Sequence, residues 1–224
     1  MHSYIAIQNT YHVFEMALFI NNTLQDKLSE DKRHASRMFI PLLNQLLTKN
    51  NSDLSGISFC AVNCGPGPFS TLRSIIASVN GLHCATKIPL IAIDGLDATF
   101  LEFYDNAYEY TIVLINAFNN EVYYLIAHHT TILAKGYKNI DALLAEVNKQ
   151  FPEQKINFFG NGVLLHKNII IEQCAGRAII AEPTPEYCSL EIIGQLGYDA
   201  FQQNIPQPDY LMPLHLKKHP VELL

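Results

Sequence analysis

Cys60-Ala-Val-Asn-Cys-Gly-Pro-Gly-Pro-Phe-Ser-Thr-Leu-Arg73, continued by Ser74–Lys87 and by Ile88-Pro-Leu-Ile-Ala-Ile-Asp94, is the stretch from which the rest of the chain is read. Ile57–Val62 is a short apolar run suited to a buried strand. The two glycines and two prolines of Gly65–Pro68 stop either regular structure from continuing. Ser70 is placed to cap the helix that follows by accepting a bond from a first-turn amide, and the pattern carries that helix to about Thr86. Pro89 then admits a strand over Leu90–Ile93. The whole is one strand-helix-strand unit, the building block of an α/β protein.

Projected at about 100° per residue, Leu72, Ile75, Ile76, Val79 and Leu82 fall on one side of this helix, and Ser74, Ser78, Gly81 and Ala85 gather on the other. Both sides are expected to be covered, with Arg73, Asn80 and Lys87 as the solvated edge. A stripe of such small residues lets a second backbone approach closely. Either the chain's own sheet or a partner protein could supply it.

Outward from this unit, Tyr4–Ile7, Val13–Ile20 and Thr23–Ser29 read as a three-stranded meander with turns at Gln8–Tyr11 and Asn21-Asn22. His34–Thr48 places Met38, Phe39, Leu42, Leu43 and Leu46 at helical spacing, with Asp31 or Ser36 near its start. Pro41 inside it predicts a bend or a later start, because proline removes one helical hydrogen bond. After Asp94-Gly95 a short helix runs to about Tyr104, and Asn106–Glu109 is the expected boundary between two halves. The pattern then repeats, with strands at Thr111–Ile115, Glu121–Ala127 and Thr130–Ala134, a helix over Asn139–Lys149 and a strand at Ile156–Phe159. Residues 163–173 and 177–181 are left as an unassigned mixture of helix and strand. Ser189–Gln203 forms an amphipathic helix, followed by an extended proline-rich segment, Pro206–Leu214, and a mobile end at His215–His219. Three segments are thus expected: a first half over 1–105 completed by the helix at about 189–203, a smaller second half over 106–188, and a tail from 204 to 224.

With 224 residues, 49% hydrophobic and 16% charged, the chain can bury a substantial core. No segment approaches the ~20 uninterrupted apolar residues of a membrane span, and no secretory leader pattern opens the sequence, so a soluble cytoplasmic protein is expected. Five cysteines, at 60, 64, 84, 174 and 188, include no Cys-x-x-Cys pair, which argues against a disulfide framework or a structural zinc and for buried thiols. A formal charge of −6 gives no general attraction to a phosphate backbone, so any role toward nucleic acid is expected to be indirect.

Gly65-Pro-Gly-Pro-Phe-Ser-Thr-Leu-Arg73, with the helix and the Ile88-Pro-Leu-Ile-Ala-Ile93 strand behind it, resembles the signature of the TsaB (YeaZ) family of tRNA threonylcarbamoyladenosine biosynthesis. The family pattern is closer to Gly-Pro-Gly-Ser-Phe-Thr-Gly-Leu-Arg, from which Pro68, Ser70 and Thr71 depart. Shorter pieces of the resemblance are Ile5-Ala-Ile, the His34 helix, Glu121-Val-Tyr123, Pro208-Asp-Tyr-Leu211 and Lys217-Lys218. It implies a two-lobed fold of the actin/sugar-kinase type, built from ribonuclease H-like halves. It also implies that the helix from Ser70 and the His34 helix pack against their counterparts in a partner. The expected interface is His34, Met38, Leu42, Ser70, Ser74, Ala77, Ser78, Gly81 and Ala85, with Gly65, Pro66 and Gly67 as a structural loop.

Each candidate for chemistry has a plain structural alternative. A glycine loop at a helix N-terminus suits phosphate. Gly65-Pro-Gly67, however, lacks the Gly-Lys-[Ser/Thr] of a Walker loop and the third glycine of a dinucleotide fingerprint. A turn needing unusual backbone angles explains the glycines equally well. ATP-using members of the implied fold hold magnesium with a carboxylate at the end of the first strand, because hard cations want anionic oxygens. This chain has Gln8 there and Asn116 at the matching place in the second half, where the family pattern usually has aspartate. Among nine histidines, His128 and His129 are adjacent and so point to opposite faces of a strand; His34 is expected as a vestige of a metal motif in the related catalytic subunit, or as a capping residue. Ser70 and Cys64 flank the loop but sit in no nucleophile elbow.

The expected function is that of a non-catalytic scaffold that binds and supports a TsaD-type catalytic subunit in forming N6-threonylcarbamoyladenosine at position 37 of tRNAs reading ANN codons. The expected partners are that subunit, a TsaE-type ATPase and, when the chain is alone, a second copy. Transfer RNA is reached only indirectly. No cofactor is expected for the isolated chain, and ATP with magnesium only in the assembled complex. The competing classes are an ATP-dependent small-molecule kinase of the same fold, which needs metal carboxylates, and a peptidase, which needs a reactive Ser70 or Cys64.

Overall fold

The structure is a computed structural model that describes residues 2–206, 208–214 and 216. The expected mobile end at His215–His219 and the Lys217-Lys218 pair lie outside the described residues, Leu216 excepted. The chain divides into two compact units, the first made of residues up to Ala98 together with Ser189–Leu214, the second of Thr99–Cys188.

In the first unit β1 (Ser3–Asn9), β2 (Val13–Ile20) and β3 (Thr23–Asp31) form the antiparallel meander. Asn21 and Asn22, at φ of 47° and 63°, make the two-residue hairpin turn whose positive angles match the twist of its strands. β4 (Ile57–Asn63) and β5 (Leu90–Ile93) then add in parallel beside β1, for a sheet order of β3-β2-β1-β4-β5. Strand alternation sends Ile5, Ile7, Phe14, Met16, Leu18, Cys60 and Val62 to one face, where α1 (Ala35–Lys49) and α2 (Phe69–Thr86) cover them. On the other face Tyr4, Phe19 and Phe59 stack beneath α6 (Leu190–Gln202) and its Tyr198 and Phe201. Ser189 caps α6 by accepting a bond from the Ile192 amide at 3.2 Å. Close seating explains Gly197, since a Cβ there would lie 2.3 Å from that of Ala61.

Two local expectations about helix ends, at His34 and at Ser70, are corrected. α1 starts at Ala35 and runs through Pro41; Pro41 and Arg37 are both exposed, so the carbonyl that loses its amide partner can be solvated. His34 stands before α1 but makes no capping bond; Asp31 instead caps a preceding 3₁₀ turn over Lys32–His34 through the Arg33 amide. At α2 the boundary residue is Pro68, whose preset φ of −61° leads into the helix, and Ser70 lies inside the first turn rather than capping it.

The second unit repeats the plan. β6 (Tyr110–Asn116), β7 (Glu121–His128) and β8 (Thr131–Asn139) are antiparallel, while β9 (Ile156–Phe159) and β10 (Ala178–Ile180) are parallel to β6, giving the order β10-β9-β6-β7-β8. α4 (Ile140–Gln150), capped by Asn139, and α5 (Asn161–Gln173) cover one face through Leu143, Leu144, Val147, Val163 and Ile170. α5 and β10 resolve the segment that sequence patterning leaves unassigned. The division between units falls inside α3 (Gly95–Phe103), ahead of Asn106–Glu109. Two mixed sheets with the same strand order make this a duplicated ribonuclease H-like α/β fold of the actin/sugar-kinase class.

Candidate functional site

The turn after β4 is held by a line of amides. Asn63 Nδ2 donates to Gln8 Oε1 at 2.9 Å, Asn63 Oδ1 accepts from the Gly65 amide at 2.9 Å, and the Gly65 carbonyl accepts from the Gly95 amide at 2.7 Å. Gly65 sits at φ +106°, the left-handed region that favours glycine, and its peptide bond to Pro66 is cis. The second unit uses the same device. Gly160, at φ +101°, follows β9, and Asn161 Oδ1 accepts from the Asn116 amide at 3.0 Å.

This decides what Gln8 and Asn116 do. Gln8 is 1% exposed and its carbonyl serves Asn63; the Asn116 carbonyl accepts from the Phe118 amide at 2.8 Å. Both are neutral amides engaged in hydrogen bonds, Gln8 with Asn63 at the end of β4 and Asn116 within the turn that follows β6. A magnesium-bound triphosphate needs anionic oxygens at these strand ends, and the residues present do not fit it.

The histidine candidates are not brought together as a metal site. His34 Nδ1 faces Glu30 Oε1 at 3.4 Å, and His128 Nε2 faces Glu109 Oε1 at 3.1 Å. His129 leaves the strand at φ 47°. Among the described residues no three His, Cys, Asp or Glu side chains gather as metal ligands would. The nucleophile candidates fare no better. Cys64 is buried with its sulfur 3.5 Å from the Val62 carbonyl, and burial pushes its thiol up to about 12, far from the thiolate a nucleophile needs. Cys60 is pushed up to about 12 by the same cause. Cys84 is the exposed cysteine of the five. A maleimide applied to the native chain should therefore label Cys84 first, with the other four reacting only on unfolding; rapid labelling of Cys64, read by peptide mass, would contradict this assignment.

The outer surface of α2 differs from expectation. Leu72, Ile75, Ile76, Val79 and Leu82 face the core as the spacing predicts, but the small stripe is open in this chain rather than covered. Ser70, Ser74, Ala77, Gly81 and Ala85 are exposed and Ser78 is half-buried. The Ser74 and Ser78 hydroxyls donate back to the carbonyls of Ser70 and Ser74, at 3.0 and 2.9 Å, which removes their demand for outside acceptors. A Cβ added at Gly81 would meet nothing within 4 Å. The solvated edge is also revised: Arg73 is exposed and lies over the Phe69 ring at 4.9 Å, whereas Asn80 bonds the backbone of Leu211.

On the adjoining α1, two of the expected interface residues turn inward. Leu42 is 5% exposed within the chain's own core and Met38 packs half-buried against it, because both share the stripe of Phe39, Leu43 and Leu46. His34 is half-buried beside Glu30. The outward apolar residue on α1 is Ile40, 61% exposed, with Arg37, Pro41 and Asn44 around it. Its signal was present in the sequence as an apolar residue outside the core stripe.

Residues 23–202 match the family model described as TsaD, tRNA N6-adenosine threonylcarbamoyltransferase. Among curated proteins, the tRNA threonylcarbamoyladenosine biosynthesis protein TsaB of Buchnera aphidicola from Acyrthosiphon pisum is 20% identical over 157 residues, 68% of this chain and 66% of the relative. TsaB of Escherichia coli K12 is 25% identical over 92 residues, 41% of this chain and 40% of the relative. The matched region thus spans just under two thirds of the Buchnera protein. Among solved structures, YeaZ from Pseudomonas aeruginosa has a TM-score of 0.71 at 21% identity, with 96% of this chain and 100% of that one covered. A second Pseudomonas aeruginosa protein, similar to peptidase YEAZ, has a TM-score of 0.74 at 19% identity, with 97% and 100% covered. At these identities the structural matches speak for the fold. The family model spans most of the sequence and the curated relatives agree with it: the chain belongs to the family described by the TsaD model, among its TsaB (YeaZ) members.

Proposed function

We propose that this chain is a non-catalytic subunit that binds and supports a TsaD-type subunit in forming N6-threonylcarbamoyladenosine at position 37 of tRNAs reading ANN codons. The relatives' shared name, tRNA threonylcarbamoyladenosine biosynthesis protein, sets the pathway of this reading. The observation that carries it is the pair Gln8 and Asn116, neutral amides at the two strand ends where a kinase of this fold needs charge. The partner surface in this reading is the outward face of α2, Ser70, Ser74, Ala77, Ser78, Gly81 and Ala85, with Ile40 and Arg37 of α1 beside it. A second copy and the TsaD-type subunit use the same face and compete for it. A TsaE-type ATPase joins through the assembled complex. Nucleotide and tRNA are bound there too, since the isolated chain has a formal charge of −6 and carries neutral amides at Gln8 and Asn116.

Co-expression with the host's TsaD homologue tests the reading, with co-elution on size exclusion as the expected result. Calorimetric titration of the isolated chain with Mg-ATP should give no binding heat and no phosphate release. Failure to co-elute, together with phosphate release abolished by Gln8→Ala, would replace the scaffold with a small-molecule kinase.

A further inference from the structure

Residues 208–214 cross the flank of α2 away from its open stripe, and among the described residues few contacts hold them. Of the described residues after Gln202, Leu211 alone is buried, at 1% exposure in the core cluster of the first unit. Its backbone is gripped from both sides by one side chain: Asn80 Nδ2 donates to the Leu211 carbonyl at 2.9 Å, and Asn80 Oδ1 accepts from the Leu211 amide at 2.8 Å. An amide that offers both a donor and an acceptor in this way stands in for a neighbouring strand. Three residues further on, the Leu214 amide donates to the Cys64 carbonyl at 2.8 Å. The Leu214 carbonyl lies 3.8 Å from where a Gly65 Cβ would stand. The segment is therefore tied at one end to the middle of α2 and at the other to the turn through which the chain enters α2.

We propose that residues 208–214 form a latch, a strap that opens and closes as a unit separately from the sheet, with Asn80 as its clip and the Gly65 turn as the place where its state is felt. Among the described residues, one buried side chain and the hydrogen bonds of Leu211 and Leu214 hold the segment, a local unit that opens well below global unfolding, as segments with few buried contacts do. Opening removes the Leu214 amide as partner of the Cys64 carbonyl, at the residue through which the chain enters the Gly65 turn. The latch thus links the C-terminal segment to the seating of α2. The latch belongs to the free chain and needs no partner.

Hydrogen–deuterium exchange on the full-length chain, read by peptide mass, tests it with two variants. Asn80→Leu removes both clip bonds at similar volume, and Leu211→Ala withdraws the anchor while leaving Asn80 in place. In both variants, peptides over 208–214 and over 63–67 should exchange at least about tenfold faster together, as expected when a shared opening becomes about 1.4 kcal/mol easier, while peptides from β1 and β2 keep the wild-type rate. Faster exchange in 208–214 with no change at 63–67 would overturn the coupling. Exchange that rises everywhere at once, or nowhere, in both variants would overturn the latch.

Discussion

Gly81→Arg should leave the isolated chain folded and, if the proposed partner surface on α2 is the one used, prevent assembly both with a second copy and with a TsaD-type subunit. The monomer has no reason to object, since a Cβ at Gly81 meets nothing within 4 Å and the residue is exposed mid-helix. Replacing glycine there by a helix-former even removes a local penalty of about 0.8–1 kcal/mol. In an assembly that closes over the stripe, the same guanidinium would be buried without a counter-charge, at a cost of about 2–5 kcal/mol, or ~30-fold or more in affinity. Gly81→Ala separates the two effects. It should raise the melting temperature of the chain by about 2–4 °C, yet weaken association if another backbone approaches as closely as the small side chains permit. Size exclusion of each variant alone and with the partner, beside thermal melts, gives the answer. A stable Gly81→Arg chain that still co-elutes would remove α2 from the interface.

A second change should be felt by the chain itself and not by its partners. Gly160→Ala is expected to destabilise the second unit by about 3–5 kcal/mol, lowering its melting transition by on the order of 10 °C. Two penalties combine there. A Cβ at Gly160 would stand 2.2 Å from the carbonyl oxygen of Leu114, in the middle of β6, where backbone committed to a sheet cannot withdraw. The residue is also at φ +101°, where an L side chain is strained on its own account. Gly176→Ala isolates the second penalty, because Gly176 has φ +80° but open space around its Cβ. It should cost about 1 kcal/mol. Equal melting temperatures for the two variants would show that the contact with Leu114 yields easily and that α5 is less tightly seated on β6 than its geometry indicates.

Much of this architecture was legible without coordinates, because the signals that carry it are local. The apolar run Val13–Ile20 and the Asn21-Asn22 pair specify a strand and its hairpin, and helical spacing in Leu72–Leu82 specifies which side of α2 is apolar. Glycine and proline at 65–68 mark the crossing from strand to helix, and the repetition of these patterns after residue 110 predicts a duplicated α/β fold before any strand is paired. Helix ends are less legible. Ser70 has the right chemistry for a cap, but Pro68 two residues earlier already sets the boundary.

Local residue patterns specify the kind of elements, their order, the apolar phase of each helix and the absence of charge at Gln8 and Asn116. What lies opposite each surface is a matter of long-range packing. Periodicity places Ser74, Ser78, Gly81 and Ala85 on one side of a helix, but whether that side is covered depends on where other elements stop, and here it stays open. The same holds for Leu42, which belongs to the core, and Ile40, which does not. Gln8 meets Asn63 from 55 residues away, and Asn80 meets Leu211 from 131. Contacts closed over such distances depend on the register of the β1–β4 pairing and on the path of the C-terminal segment, and no local propensity encodes either.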